Sequence, residues 1–233
     1  MIAPFYVKEV RQTMDTFAVI FDMDGVIVDS EPIFKKMNEE LFQKLNIRVS
    51  EEIRSQFIGG SAHRKWRLIK EHCDLTESIE VLIKYQSDFF RTKNVRFEEI
   101  LFPGVRPLLE SLKREGIPIG LASSSDRERI NQVIDQCNLH GFFKTVVSGE
   151  EFKESKPNPE IFLHTSAKLG VEPKRCIVIE DSFNGLTAAD RAGMKKIGIK
   201  HKQIPMDLSI ADFTISSLEE IDVVLLEKVI EGI

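Results

Sequence analysis

A chain of 233 residues is long enough for one sizeable core and a smaller unit, and 42% hydrophobic with 30% charged residues describes an ordinary globular protein. The net charge of −5 leaves no basic footprint for nucleic acid, and no apolar run approaches membrane-spanning length. Cys73, Cys137 and Cys176 are odd in number and widely spaced, which argues against a disulfide framework or zinc site and fits a reducing cytoplasm. The five histidines are scattered without ligand spacing and read as surface or locally bonded.

Residues 1–13 read as an irregular extension, because Pro4, Lys8, Glu9 and Arg11 interrupt any signal-peptide core; Met14 is an alternative start. Phe17 to Phe21 is a short β-branched and aromatic run, the pattern of a buried strand. It ends in Asp22 and Asp24, with Gly25 beside them. Two carboxylates one residue apart at the carboxyl end of a buried strand cost desolvation unless a cation or hydrogen bonds compensate. A hard divalent cation with oxygen ligands, Mg²⁺ foremost, is the simplest compensation. The plain alternative is a strand running into an Asp-Gly turn. An EF-hand loop fits poorly, since its twelfth position would be Ile33.

Beyond Ser30 the period changes to that of helices. Phe34, Met37, Leu41 and Leu45 share one face, with Phe42 alongside; Ile53 and Phe57 suggest a short second helix, interrupted at Gly59-Gly60-Ser61. Ser61 suits the N-cap of a third helix carrying Trp66, Ile69 and Cys73, and Leu82, Tyr85 and Phe89 mark a fourth. Residues 31–94 are therefore expected to form an all-helical insertion in an α/β core of residues 14–30 and 95–233.

From Pro103 the chain alternates. The predicted elements are a helix over 105–115 ending at Gly116, a strand over 117–122 running into Ser123-Ser124-Ser125, a helix to Cys137, and a strand at 145–147. Lys156-Pro-Asn-Pro-Glu160 then precedes a helix, with Asn158 as N-cap and Pro159 in the first helical position. A strand from Cys176 to Ile179 ends in Glu180-Asp181. A helix over 183–192, a strand at 196–199, an edge strand at 213–215 and a terminal helix complete the chain. This alternation predicts a doubly wound, Rossmann-like parallel sheet with all strand carboxyl ends on one edge. Asp22, Asp24, Ser123, Lys156, Glu180 and Asp181 would converge there. A cation, a lysine and hydroxyl donors beside a carboxylate able to attack phosphorus are the parts phosphoryl transfer needs.

These residues carry a family resemblance. Phe-Asp22-Met-Asp24-Gly-Val, Leu-Ala-Ser123-Ser-Ser, Lys156-Pro-Asn-Pro and Val-Ile-Glu180-Asp181-Ser-Phe-Asn-Gly185 stand in the order of the four motifs of the haloacid dehalogenase-like superfamily. The chain resembles its phosphatase and β-phosphoglucomutase-like branch, which has a helical cap, over nearly everything from Thr16 onward. The resemblance implies Asp22 as nucleophile and metal ligand, and Asp24 as general acid/base with its backbone carbonyl on the metal. It implies Ser123 and the Ser124 amide on the phosphate at a helix N-terminus, and Lys156 bridging nucleophile and phosphate. Asp181 would bind Mg²⁺ (or Mn²⁺ or Co²⁺), and Glu180 would do so directly or through water. An Asp at position 24 favours phosphate esters over halides, whose departure needs no acid.

The resemblance also places a substrate-reading cap loop at Gly59 to Lys65. Gly60, Ser61 and Arg64 are its candidate contacts, with His63 and Lys65 beside them; the alternative is a solvated first helical turn. Mutases of this branch carry a His near the place of Phe34 and a loop Arg near Ala62. Neither is present here, so water is the expected acceptor and a phosphatase the expected enzyme, with a phosphosugar mutase as the alternative. A non-catalytic binding or regulatory protein is a third reading, opposed by the retention of every reactive group. A monomeric cytoplasmic enzyme acting on a small phosphorylated metabolite is the resulting expectation.

Overall fold

Both faces of the Phe17–Phe21 run are covered, and this puts its strand at the centre of the molecule. The computed structural model describes residues 17–56, 62–201 and 206–233. In it, β1 (Ala18–Phe21) is buried along its whole length. Val19 and Phe21 enter one apolar cluster, and Ala18 and Ile20 enter another on the opposite face, as the two-residue period of a strand requires. With β2 (Ile119–Ser123), β3 (Thr145–Ser148), β4 (Cys176–Glu180), β5 (Lys195–Ile199) and β6 (Phe213–Ile215) it forms a six-stranded sheet of order β3-β2-β1-β4-β5-β6. Every pairing is parallel.

The helices are α1 (Glu31–Lys44), α2 (Glu51–Ser55), α3 (Ala62–His72), α4 (Ile79–Arg91), α5 (Val105–Arg114), α6 (Arg127–Gln136), α7 (Glu160–Leu169), α8 (Phe183–Arg191) and α9 (Val223–Glu231). Leu108, Leu109 and Leu112 of α5, Ile130 and Val133 of α6, and Leu226, Val229 and Ile230 of α9 cover one sheet face. Ile161, Phe162 and Leu169 of α7 with Ala188 and Ala189 of α8 cover the other. Each buried Leu or Ile contributes roughly 1.5–3 kcal/mol, which outweighs any difference in helix propensity along these segments. The sheet is doubly wound, as the alternation of elements predicts.

The inserted helices have a core of their own. Leu41, Phe42, Val49, Trp66, Ile69 and Leu82 are buried together, with Leu45, Ile53, Cys73, Tyr85 and Phe89 packed around them. The Trp66 ring meets Phe42 edge-on at 6.2 Å and its Nε1–H donates to Gln86 Oε1 at 2.9 Å. Of the readings for this region, Phe57 and Gly59-Gly60-Ser61 lie outside the described residues, as does the extension over residues 1–13. The two connections to the sheet run side by side. Val28 and Leu101 form an antiparallel bridge, Asp29 N–H donates to Ile100 O at 2.8 Å, and Phe102 N–H donates to Ile27 O at 2.9 Å.

Of the predicted boundaries that move, two lie at prolines. The second strand begins at Ile119 and runs through Ser123. Pro118 has no N–H to donate, yet its carbonyl still accepts from Val19 N–H at 3.0 Å. Helix α7 begins at Glu160, so Pro159 holds the cap position expected of Asn158. The Asn158 side chain still accepts from Glu160 N–H at 2.9 Å, because Pro159 offers no N–H before it. Among the described residues no helix is long and apolar enough to cross a membrane.

Candidate active site

The chain lays β2 and β3 on one side of β1 and β4 to β6 on the other, so strand order reverses beside β1, where open α/β sheets bind ligands. Asp22 leaves β1 there, Glu180 ends β4, and Lys156 reaches in from the connection between β3 and α7. The Lys156 ammonium donates to Asp22 Oδ1 at 2.6 Å, Glu180 Oε1 at 2.9 Å and Ala122 O at 3.2 Å. Three donors meet three acceptors in a place where the lysine is 2% exposed. Burial works against its charge, but Asp22 and Glu180 outweigh burial and hold its pKa above the ordinary lysine value. Burial pushes the Asp22 carboxyl up to about 7; Lys156 opposes that rise, and Glu180 and Asp24 add to it.

Asp24 is held by different partners. Ser30 Oγ donates to its Oδ1 at 2.5 Å, Ser125 Oγ donates to its Oδ2 at 2.8 Å, and the Arg129 guanidinium forms an ion pair with it. That guanidinium also lies flat on Phe34, 3.5 Å from the ring centroid, and Phe34 stands 5.7 Å from Phe90. Ser30, Ser125 and Arg129 were not singled out in the sequence. Ser125 belonged to a run already noticed, whereas Arg129 lies 105 positions from Asp24 and gave no local signal.

The third cluster surrounds Asp181. Burial, then the charges of Glu180 and Asp22, push its carboxyl well above the usual range. A side chain on Gly25 would place its Cβ 1.9 Å from Asp181 Oδ2, and Gly25 has φ +78°. Only glycine fits there. His201, dismissed above as a surface residue, stacks on Phe102 and has Nε2 2.7 Å from Gly25 O and 3.5 Å from Asp181 Oδ2.

This donor set fits a hard divalent cation. Asp22 and Asp181 are buried carboxylates held toward their neutral forms, and a cation would restore their charge. Among the described residues no group of three His, Cys, Asp or Glu side chains stands ready to hold a metal ion, so the fit rests on the two buried carboxylates alone, the number that Mg²⁺ with its retained waters uses. Glu180 has Oε1 on Lys156 and Oε2 on the Ser182 N–H and Oγ at 2.7 and 2.8 Å. Of its two expected modes, the water-bridged one is therefore favoured.

Other predicted residues fare differently. Ser123 is fully buried and its Oγ accepts from Ser125 N–H at 3.1 Å, while Ser124 and Ser125 line the cavity. The helix expected beyond Ser123 and Ser124 is present and begins a little further on. Helix α6 starts at Arg127, three residues past Ser124. Asp126 caps it by accepting from Arg129 N–H at 2.8 Å, and Glu150 accepts from Arg127 N–H at 2.7 Å. Gly60 and Ser61 lie outside the described residues. Arg64 is not among the described residues that line the cavity and donates across to Asn184 Oδ1 of α8 at 3.3 Å. Its neighbour Lys65 turns inward instead and is 6% exposed. The cavity, of about 1490 Å³, lies between the sheet edge and the inserted helices and is lined by Asp22, Asp24, Asp181, Phe34, Lys65 and Arg129 among others.

Comparison with known proteins agrees with this geometry. Residues 19–199 match the family model described as haloacid dehalogenase-like hydrolase. The chain is 31% identical to a phosphorylated carbohydrates phosphatase of Thermotoga maritima, over 79% of this chain and 85% of that protein. It is 32% identical to the β-phosphoglucomutase of Bacillus subtilis, over 87% and 94%. The crystal structure of a β-phosphoglucomutase from Clostridium difficile superposes with a TM-score of 0.80 at 25% identity, covering 93% of this chain and 97% of that one.

Proposed function

The chain belongs to the haloacid dehalogenase-like hydrolases, and from that premise we propose that it is a Mg²⁺-dependent phosphatase of small phosphorylated metabolites, chiefly sugar phosphates. The observation that carries the reading is Lys156 bridging Asp22 and Glu180 in a buried site, with Asp24 oriented separately by Ser30, Ser125 and Arg129. One carboxylate is thereby set for attack and a second for proton transfer. A bound Mg²⁺, held by Asp22, Asp181 and the Asp24 backbone, would supply positive charge against the repulsion between carboxylate and phosphate.

Asp22 forms a bond to phosphorus as the ester P–O bond breaks, and Asp24, which must enter the cycle protonated and released from its ion pair with Arg129, gives that proton to the departing alkoxide. Asp24 then takes a proton from water, which attacks the aspartyl-phosphate, releasing phosphate and restoring Asp22. Lys156 keeps Asp22 oriented throughout and offsets the added charge. Phe34 and Ala62 stand in the cavity where mutases of this branch carry their His and Arg; without that pair water is favoured as acceptor, while Lys65 and Arg129 in the same lining keep the mutase reading open. The mutase reading stands second, because the relatives above include mutases. Retention of all the reactive groups opposes a purely binding role.

The test is phosphate release from a panel of sugar and other metabolite phosphates, with Mg²⁺ and with EDTA, alongside Asp22→Asn. Turnover should need the metal and fall at least about a thousandfold in the variant. Isomerisation of β-glucose 1-phosphate without release would make the enzyme a mutase instead.

A further inference from the structure

Lys65 is an unusual residue to bury. It lies on the inner face of α3, 6% exposed, and lines the same cavity as Asp22 and Asp24. Its Nζ donates to Asn38 Oδ1 at 2.9 Å and stands over the rings of Trp66 and Phe90, at 5.3 and 5.7 Å. Among the described residues no carboxylate pairs with it, so an ammonium with three donors has one neutral acceptor. Ring faces recover part of the lost hydration but not all of it.

A second cation stands close by. Arg129 occupies the other ring of the Phe34–Phe90 pair, and its Nε–H is buried without an acceptor. Two cations on adjoining aromatic rings, Lys65 with no acidic partner and Arg129 paired with Asp24 but keeping a spare donor, form an anion site beside the phosphate-transfer carboxylates. Burial, and then the Arg129 charge, hold the Lys65 pKa down to about 7, which an arriving anion would reverse. A plain structural role accounts poorly for Lys65, since an apolar side chain would fill the same space without desolvating a charge.

We propose that Lys65, aided by Arg129, binds a second anionic group on the leaving-group side of the substrate, so that the preferred ester carries a carboxylate or a second phosphate. This rests on the phosphatase reading and narrows its substrate class. It also assigns leaving-group recognition to a residue inside the α3 helix, where Arg64 faces elsewhere.

The experiment compares matched esters with wild type, Lys65→Met and Lys65→Arg. Phosphoglycolate against 2-hydroxyethyl phosphate tests a carboxylate, and fructose 1,6-bisphosphate against fructose 1-phosphate tests a second phosphate. The readout is the anionic-over-neutral ratio of kcat/KM within each pair. At least one pair should show a wild-type ratio of about tenfold or more, lost in Lys65→Met chiefly through KM and largely kept in Lys65→Arg. Ratios near one in wild type, or a ratio unmoved by Lys65→Met, would overturn the proposal. Thermal unfolding verifies that the variants fold, and Lys65→Gln replaces Lys65→Met if it does not. p-Nitrophenyl phosphate separates the two readings: if neither it nor any paired ester is hydrolysed, the phosphatase reading fails. Calorimetric binding of the same pairs then decides for Lys65, where lysine-dependent preference for the anionic member supports the proposal and no such preference refutes it.

Discussion

Lys65 carries its charge against the grain of its surroundings, and that has a measurable signature in stability. Asn38 faces it from α1, Phe90 from α4, Arg129 from α6 and Trp66 from its own helix; none of these is an acid. Its pKa of about 7 in the fold lies below the ordinary value of 10.5. Below about pH 7 both folded and unfolded chains hold the proton, so the cost of burial is complete. As pH rises from there toward 10.5, the folded state releases the proton while the unfolded chain keeps it. Stability therefore rises with pH over that window, by up to ~1.4 kcal/mol per pH unit from this group. Urea unfolding of wild type and Lys65→Met at about pH 6, 8 and 10 should show a stability difference that favours the variant at pH 6 and shrinks by pH 10. A difference constant across pH would mean that Lys65 titrates normally. The burial of Lys65 was not legible in the sequence, where it stood with His63 and Arg64 as a candidate contact of the cap loop against the alternative of a solvated first turn. Asp22, Asp24, Lys156 and Asp181 were legible because each follows a strand or precedes a helix that announces itself by period. Lys65 and Arg129 depend on which way a helix turns its face toward another unit, and that is decided by packing of residues far apart in the chain.

At the scale of an element, the start of α8 shows one glycine setting the position of a catalytic partner. Ser182 caps the helix by accepting from Gly185 N–H at 3.0 Å, and its own N–H and Oγ hold Glu180 Oε2. Glu180 in turn holds Lys156. A Cβ on Gly185 would fall 1.7 Å from Glu180 Oε1. Helix propensity alone favours Gly185→Ala by ~1 kcal/mol, but a clash of that depth with a buried carboxylate is the larger effect. Gly185→Ala should therefore lower stability by about 1–3 kcal/mol and reduce kcat more than it changes KM, as Glu180 shifts and Lys156 loses a partner. A variant as stable as wild type with full turnover would show that Glu180 need not stand where it does. The motif around Gly185 was visible in the sequence, but its physical reason required the structure. Conversely, Ser123-Ser-Ser suggested the helix N-terminus itself, and the residue that caps it, Asp126, is the next one along. Asp is as good an N-cap as Ser, so the sequence left both registers open.

The whole molecule is two packed cores joined by two adjacent strands of chain. One core lies on the sheet and the other within the inserted helices. Besides the Arg129 guanidinium over the Phe34 ring, the contacts that bridge them at the cavity rim are polar: Arg64 with Asn184 at 3.3 Å and Arg91 with Glu128 at 2.5 Å. The Arg91–Glu128 pair is exposed, and exposed ion pairs hold little against solvent and salt. Separation of the two units is accordingly inexpensive, and the paired connections at Val28–Leu101 are where it would pivot. Lys65 and Asp22 are each 6% exposed and line one cavity between the two units, so opening its rim would widen the way to both. Cysteines at 91 and 128 on a Cys73→Ser background, joined by a short bifunctional reagent, test this directly; Cys137 and Cys176 are buried and should not react. Cross-linked protein should lose most of its kcat/KM, and cleaving the reagent should restore it. Full turnover with the link intact would mean that substrate reaches Asp22 without the helices moving, and the cavity as it stands would then be the open form.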